Sequence, residues 1–115
     1  MATYRTEETE AKYMESLKNA EPSDPCPLCA KPALKTFRLW KLVENSFPYD
    51  RIAATHHMIV PIRHAGEREV TQEEWLEYAE LKKGFMNDDY DAMMERTHRT
   101  KTVPGHFHVH LLVIK

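Results

Sequence analysis

The chain has 115 residues, 42% of them hydrophobic and 30% charged, with a formal charge of −2. That length holds one domain with one modest core, and so small a charge is too little to imply binding to a nucleic-acid polymer or a membrane surface by bulk electrostatics, so neither partner is expected. No apolar run reaches membrane-span length, and Met1-Ala2-Thr3-Tyr4-Arg5 lacks the apolar core of a signal peptide, so a cytoplasmic location is expected.

Residues 6–20 read as an amphipathic helix, with Tyr13, Met14 and Leu17 on one stripe among many Glu and Lys. Glu21-Pro22-Ser23-Asp24-Pro25 stops it. The only two cysteines follow in Cys26-Pro27-Leu28-Cys29, a Pro-rich turn. In a reducing compartment this spacing favours half a metal site or a redox pair over a structural disulfide. Residues 36–44 are β-like, Asn45-Ser46-Phe47-Pro48-Tyr49-Asp50 breaks the strand, and His57-Met58-Ile59-Val60 forms the next, closed by Pro61. Thr71-Gln72-Glu73-Glu74 is a capping box that opens a helix. Trp75, Tyr78, Leu81 and Phe85 give it a buried stripe, and Gly84 with Asn87-Asp88-Asp89 ends it. Residues 90–96 fit helix or strand; they are assigned as a strand because the histidine-bearing strand below needs a partner. Residues 97–105 form a basic loop carrying His98, Arg99 and Lys101. Strands punctuated by helices, without a regular βαβ rhythm, predict an α+β fold with an antiparallel sheet.

The last strand carries His106-Phe107-His108-Val109-His110-Leu111-Leu112-Val113. Alternation at period two puts the three imidazoles on one face and Phe107, Val109 and Leu111 on the other. Three readings follow. The histidines are solvent-facing polar residues; or all three ligate one catalytic zinc, which needs three protein ligands and an open position; or one imidazole is a nucleophile and its neighbours hold a phosphate. Neutral imidazole is competent for the last role near pH 7, its unperturbed pKa being about 6.5.

The run His106–Leu112 resembles the His-φ-His-φ-His-φ-φ signature (φ apolar) of the histidine triad (HIT) superfamily. His57-Met58-Ile59-Val60-Pro61-Ile62-Arg63-His64 is similar to the strand ending in Pro-Lys-Arg-His of bacterial members, and Cys26-Pro27-Leu28-Cys29 to their N-terminal Cys-x-x-Cys. The three matches in order cover about residues 26–115. The resemblance implies an N-terminal helical extension, 1–24, ahead of a HIT domain, 25–115. The fold implied is HIT-like α+β: a roughly five-stranded antiparallel sheet with one main helix packed on it, plus the N-terminal helix, often as a homodimer.

The same resemblance implies hydrolysis or nucleotidyl transfer at the α-phosphate of a nucleotide, such as a nucleoside phosphoramidate or dinucleoside polyphosphate. His108 would be the nucleophile that forms a nucleotidyl-histidine, and His110 would donate to the developing charge. A structural zinc would be held by Cys26, Cys29, His64 and His106, a Cys₂His₂ set that closes a tetrahedral site. A base slot would be lined from the first strands, with Phe37, Leu39 and Phe47 as candidates that also suit core packing. A nucleotide-binding interaction protein with lost or incidental catalysis is the rival of another class.

The chain departs from the family pattern before the triad. Relatives carry small Gln or Ser groups there, whereas this chain has Arg99-Thr100-Lys101-Thr102-Val103-Pro104-Gly105. Thr102 supplies a hydroxyl, and Arg99 and Lys101 supply charge for a polyphosphate or belong to a solvated loop. The position about eleven before the first triad His, often Asn in the family, is Glu95. His56 and His57 read as a strand start, and His98 as a loop residue.

Overall fold

The computed structural model describes residues 3–97, 99 and 105–115. Five antiparallel strands form one sheet in the order β1-β2-β3-β5-β4: β1 (Lys35–Thr36), β2 (Trp40–Glu44), β3 (Ala53–Pro61), β4 (Ala92–Met94) and β5 (Val109–Ile114). β3 and β5 are its centre, with Met58 opposite His110 and Ile59 opposite Val109. The α+β class and the five-stranded antiparallel sheet agree with the sequence reading.

Alternation sorts the strand residues onto two faces. Trp40, Leu42, Ile59, Phe107, Val109 and Leu111 pack under α3 (Gln72–Leu81), whose Trp75, Tyr78 and Leu81 complete that core. Thr71 caps α3 through a reciprocal pair, its hydroxyl accepting from the Glu74 amide and Glu74 Oε1 accepting from the Thr71 amide at 2.8 Å. The opposite face carries Leu28, Val43, Met58 and Val60 in one cluster and Tyr49, Ala53 and Leu112 in another. The triad histidines lie on this second face.

Three boundaries differ from the sequence reading. The expected strand over 36–44 is two strands, because Glu77 of α3 accepts the Arg38 and Leu39 amides at 3.0 and 2.7 Å and holds the chain in a hairpin turn. β3 begins at Ala53, several residues before His57. β5 begins at Val109, so His106, Phe107 and His108 lead into the strand instead of lying on it. The long helix ends as expected: the chain bends at Gly84 (φ −97°, ψ −111°) inside a π turn, Lys82–Met86, and its last helical residues are α4, Asn87–Asp89. The strand expected in 90–96 is β4, and it pairs with β5.

The N-terminal helix α1 (Glu7–Asn19) is capped by Thr6 and has acidic residues in its first turn and Lys18 in its last. It buries no residue of its own. Its hold on the sheet is local: Asp50 accepts from the Thr6 amide (2.8 Å) and from the hydroxyls of Thr6 and Thr9, and the Tyr13 and Phe47 rings meet at 5.5 Å. Among the described residues no helix is long and apolar enough to cross a membrane.

Candidate functional site

Two groups of side chains are built on the second face. The first gathers Cys26, Cys29, His64 and His106, with one ligand atom of each within 4.8 Å of all the others. α2 (Pro27–Ala30) is a single helical turn that begins between the two cysteines, so both thiols face one point. The Lys41 ammonium donates to the carbonyls of Cys29 and Lys31 at 3.3 and 3.0 Å and fixes the turn to β2. His106 is fully buried, and its Nε2–H donates to the Pro61 carbonyl at 2.9 Å. That bond puts the lone pair on Nδ1, which faces Cys26 Sγ at 3.5 Å and Cys29 Sγ at 3.4 Å. His64 Nδ1 is 3.3 Å from Cys29 Sγ. Tetrahedral coordination with metal–S near 2.3 Å and metal–N near 2.0 Å separates S and N by about 3.5 Å, so the donor set fits a metal site. Burial, with His64, Lys41 and His108 adding to it, pushes the His106 pKa down against the Pro61 bond. The imidazole is kept neutral, the form that ligates.

The second group is a relay of hydrogen bonds whose polarity the backbone dictates. The Tyr49 amide donates to His56 Nδ1 at 3.0 Å, so the proton of His56 sits on Nε2. Nε2–H then donates to His110 Nδ1 at 2.8 Å, which places the proton of His110 on its Nε2. The Asn45 amide, 3.4 Å from His56 Nε2, turns to Met58 Sδ at 3.6 Å while its Oδ1 accepts from the Phe47 amide. Just ahead of β5 the His108 Nδ1–H donates to the His106 carbonyl at 2.9 Å, so its lone pair is on Nε2. His108 and His110 meet edge to face, centroids 5.3 Å apart. One imidazole thus presents a lone pair and its neighbour presents an N–H.

Both members of the His56–His110 pair are held neutral. Burial drives His56 down to about 3, helped by the charges of Arg5 and His57, and drives His110 down to about 3, helped by His56, His108, Arg96 and Arg5. A proton on His110 Nδ1 would also break the bond between them, and one on His56 Nδ1 would break the bond from the Tyr49 amide.

His108 and His110 line a cavity of about 930 Å³ between the sheet and α1. Its wall includes Phe47, Met58 and Leu28 on the sheet side and Tyr13 and Leu17 from α1. Of the base-slot candidates only Phe47 is there. Phe37 and Leu39 pack on the other face of the sheet, Phe37 stacked on Phe85 at 5.0 Å, because β1 sets Lys35 opposite Leu42, which carries Phe37 under α3, and the turn before β2 keeps Leu39 with it.

Arg99 is exposed, and Lys101, Thr102 and His98 lie outside the described residues. Glu95 is exposed and close enough to Tyr78 to add to the upward shift that burial gives that hydroxyl. His57 is half-buried under Tyr90, with Nδ1 2.6 Å from the hydroxyl. His56 is the residue whose role the sequence reading missed: it is a buried member of the relay, not the bland start of a strand. A signal was present, because His56 shares the strand face of Met58 and Val60, where an imidazole is buried and needs a partner.

Among the described residues the Cys26–Cys29–His64–His106 group is the one that gathers metal-ligating side chains, and His108 and His110 are not in it. No family model and no curated protein matches this sequence.

Proposed function

We propose that this chain is a histidine-triad enzyme: a nucleotide hydrolase or nucleotidyl transferase that works at the α-phosphate through His108. The observation that carries this reading is the fixed polarity of the triad, a lone pair on His108 Nε2 beside an N–H on His110 Nε2. In the proposed step His108 Nε2 attacks phosphorus, the N–P bond forms, and the bond to the leaving group breaks. The leaving group takes the bonding pair and a proton. Water then attacks the same phosphorus, gives up a proton, and releases the nucleoside monophosphate with His108 restored. His110 Nε2–H donates to a phosphoryl oxygen as charge grows on it, and His56 keeps that N–H in place.

Zinc is the ion that suits two thiolates and two imidazoles at these separations, and its role is structural because four protein ligands leave no open position. It would tie the Cys26–Cys29 turn to the residue that opens the triad. The alternative with all three triad histidines on one zinc is disfavoured, because His110 accepts from His56 on Nδ1 and carries its proton on Nε2, and His106 Nδ1 faces the two cysteine thiols. A homodimer belongs to the same reading, and sedimentation tests it.

The deciding experiment is turnover of a nucleoside phosphoramidate and a dinucleoside polyphosphate by the wild type and His108→Ala in parallel. Wild-type hydrolysis lost in the variant supports the assignment; no turnover of either substrate by the wild type, or equal turnover by both proteins, rejects it.

A further inference from the structure

Two arginines on the wall of the catalytic cavity are unused by the chemistry above. Arg5, just ahead of α1, is 9% exposed, although it is charged. Its guanidinium lies 4.0 Å over the Tyr13 ring and 5.0 Å from the Tyr49 ring, and its Nε donates to the Phe47 carbonyl at 2.7 Å. Arg96, just after β4, donates from Nε to the Tyr49 hydroxyl at 2.9 Å, with its guanidinium 5.5 Å from the same ring. The Tyr49 ring therefore carries two guanidiniums, and it also packs on His56 at 4.4 Å and on His110 at 5.2 Å. Arg5, Arg96, His108 and His110 all open onto the one cavity.

The charges around the two guanidiniums do not balance. Glu10 stands 3.5 Å from Arg5, and among the described residues no carboxylate pairs with Arg96. The other acidic residues on the cavity wall, Glu21 and Asp24, come from beyond the far end of α1. With Arg5 already facing Glu10, the surplus is the Arg96 cation; holding it beside a neutral, buried His56–His110 pair is unfavourable without a further anion, and planar guanidiniums favour phosphate oxygens. The attacked phosphate is already served by His110. An anion with a second phosphate completes the charge balance.

We infer that Arg5 and Arg96, both braced on Tyr49, bind the phosphates beyond the one attacked, so the enzyme favours substrates whose leaving group is itself a phosphate or phosphate chain. This rests on the reading given under Proposed function and adds the N-terminal segment to the active site as its specificity element.

The test is calorimetric titration of the metal-loaded full-length protein with inorganic pyrophosphate and with orthophosphate, for wild type, Arg96→Met and Arg5→Met. The wild type should bind pyrophosphate the more tightly. Each variant should lose about ten- to a hundredfold in pyrophosphate affinity and much less for orthophosphate, as expected for losing a charge-assisted contact. Arg96→Met leaves the Asp50 anchors of α1 intact, so it decides the matter should Arg5→Met loosen that helix. Wild type that does not prefer pyrophosphate, unchanged pyrophosphate affinity in Arg96→Met, or equal losses on both anions would overturn the inference. These titrations require no turnover, so the nucleophile reading stands or falls separately, on His108→Ala.

Discussion

His56 Nε2 lies 2.8 Å from His110 Nδ1, and the Tyr49 amide decides which of the two nitrogens carries the proton. A backbone group that cannot titrate therefore sets the hydrogen-bonding sense of a side chain two rings away. The consequence is an N–H donor at His110 Nε2 whose sense is fixed; under the proposed function it would need no reorganisation as charge develops near it.

His56→Ala should slow turnover of the proposed substrates by about ten- to a hundredfold, the loss expected when a hydrogen bond to a charged or charge-developing group is removed. The fall should be in kcat more than in KM, because His56 acts through His110. His110→Ala should lose about two to three powers of ten, and the double variant should lose little more than His110→Ala alone. Full additivity of the two losses would show that the relay does not operate.

Acid should destabilise the fold through the same pair. In the unfolded chain His56 and His110 bind protons near pH 6.5, but in the fold burial holds both near 3. Between those values the unfolded state carries more protons, so the stabilisation is complete above pH 6.5 and is lost progressively as pH falls toward 3. Each group contributes a slope of up to about 1.4 kcal/mol per pH unit. Denaturant unfolding of wild type and His56→Gln at pH 7.5, 6 and 5 should show a shallower fall in the variant; parallel curves would contradict the neutral assignment.

Metal content should be about one zinc per chain in protein purified without added metal. Chelation should lower the melting temperature, and Cys26→Ser/Cys29→Ser should abolish binding while His108→Ala and His110→Ala retain it. Metal that survives loss of the cysteines but leaves with either of those histidines would move the ion to the triad.

The attachment of α1 is testable through Asp50. Burial works to raise that carboxyl's pKa, but hydrogen bonds from Thr9 and Thr6 prevail and hold it below the usual range. Asp50→Ala removes the Thr6 and Thr9 contacts of a helix that buries none of its own residues, at a cost of about 1 kcal/mol, comparable to losing a cap. Trypsin should then cut at Lys12 and Lys18 faster than in the wild type, with metal content unchanged. Equal cleavage rates would mean that other contacts hold the helix.

The period-two alternation of β5 and the capping box of Thr71 were legible because both are local: strand facing follows from the pleat, and the cap from residues three apart. The proposed metal ligands were legible through the resemblance, and the fold gathers them. What escaped depends on distant partners. The turn over Phe37-Arg38-Leu39 is imposed by Glu77, about forty residues on, so an apolar run read as one strand. His56 is defined by His110, across the β3–β5 ladder. Arg5 and Arg96 meet only at Tyr49, and the amphipathic stripe of α1 gives no indication of where the helix docks.

The most direct measurement is intact-protein mass spectrometry after rapid acid-free quenching of His110→Ala with a nucleoside phosphoramidate. The variant keeps the nucleophile and should accumulate protein heavier by one nucleoside monophosphate unit, with the added group mapped to His108. His108→Ala/His110→Ala should gain nothing. A nucleotide adduct mapped to another residue, or turnover that continues at the wild-type rate in His108→Ala, would contradict the account.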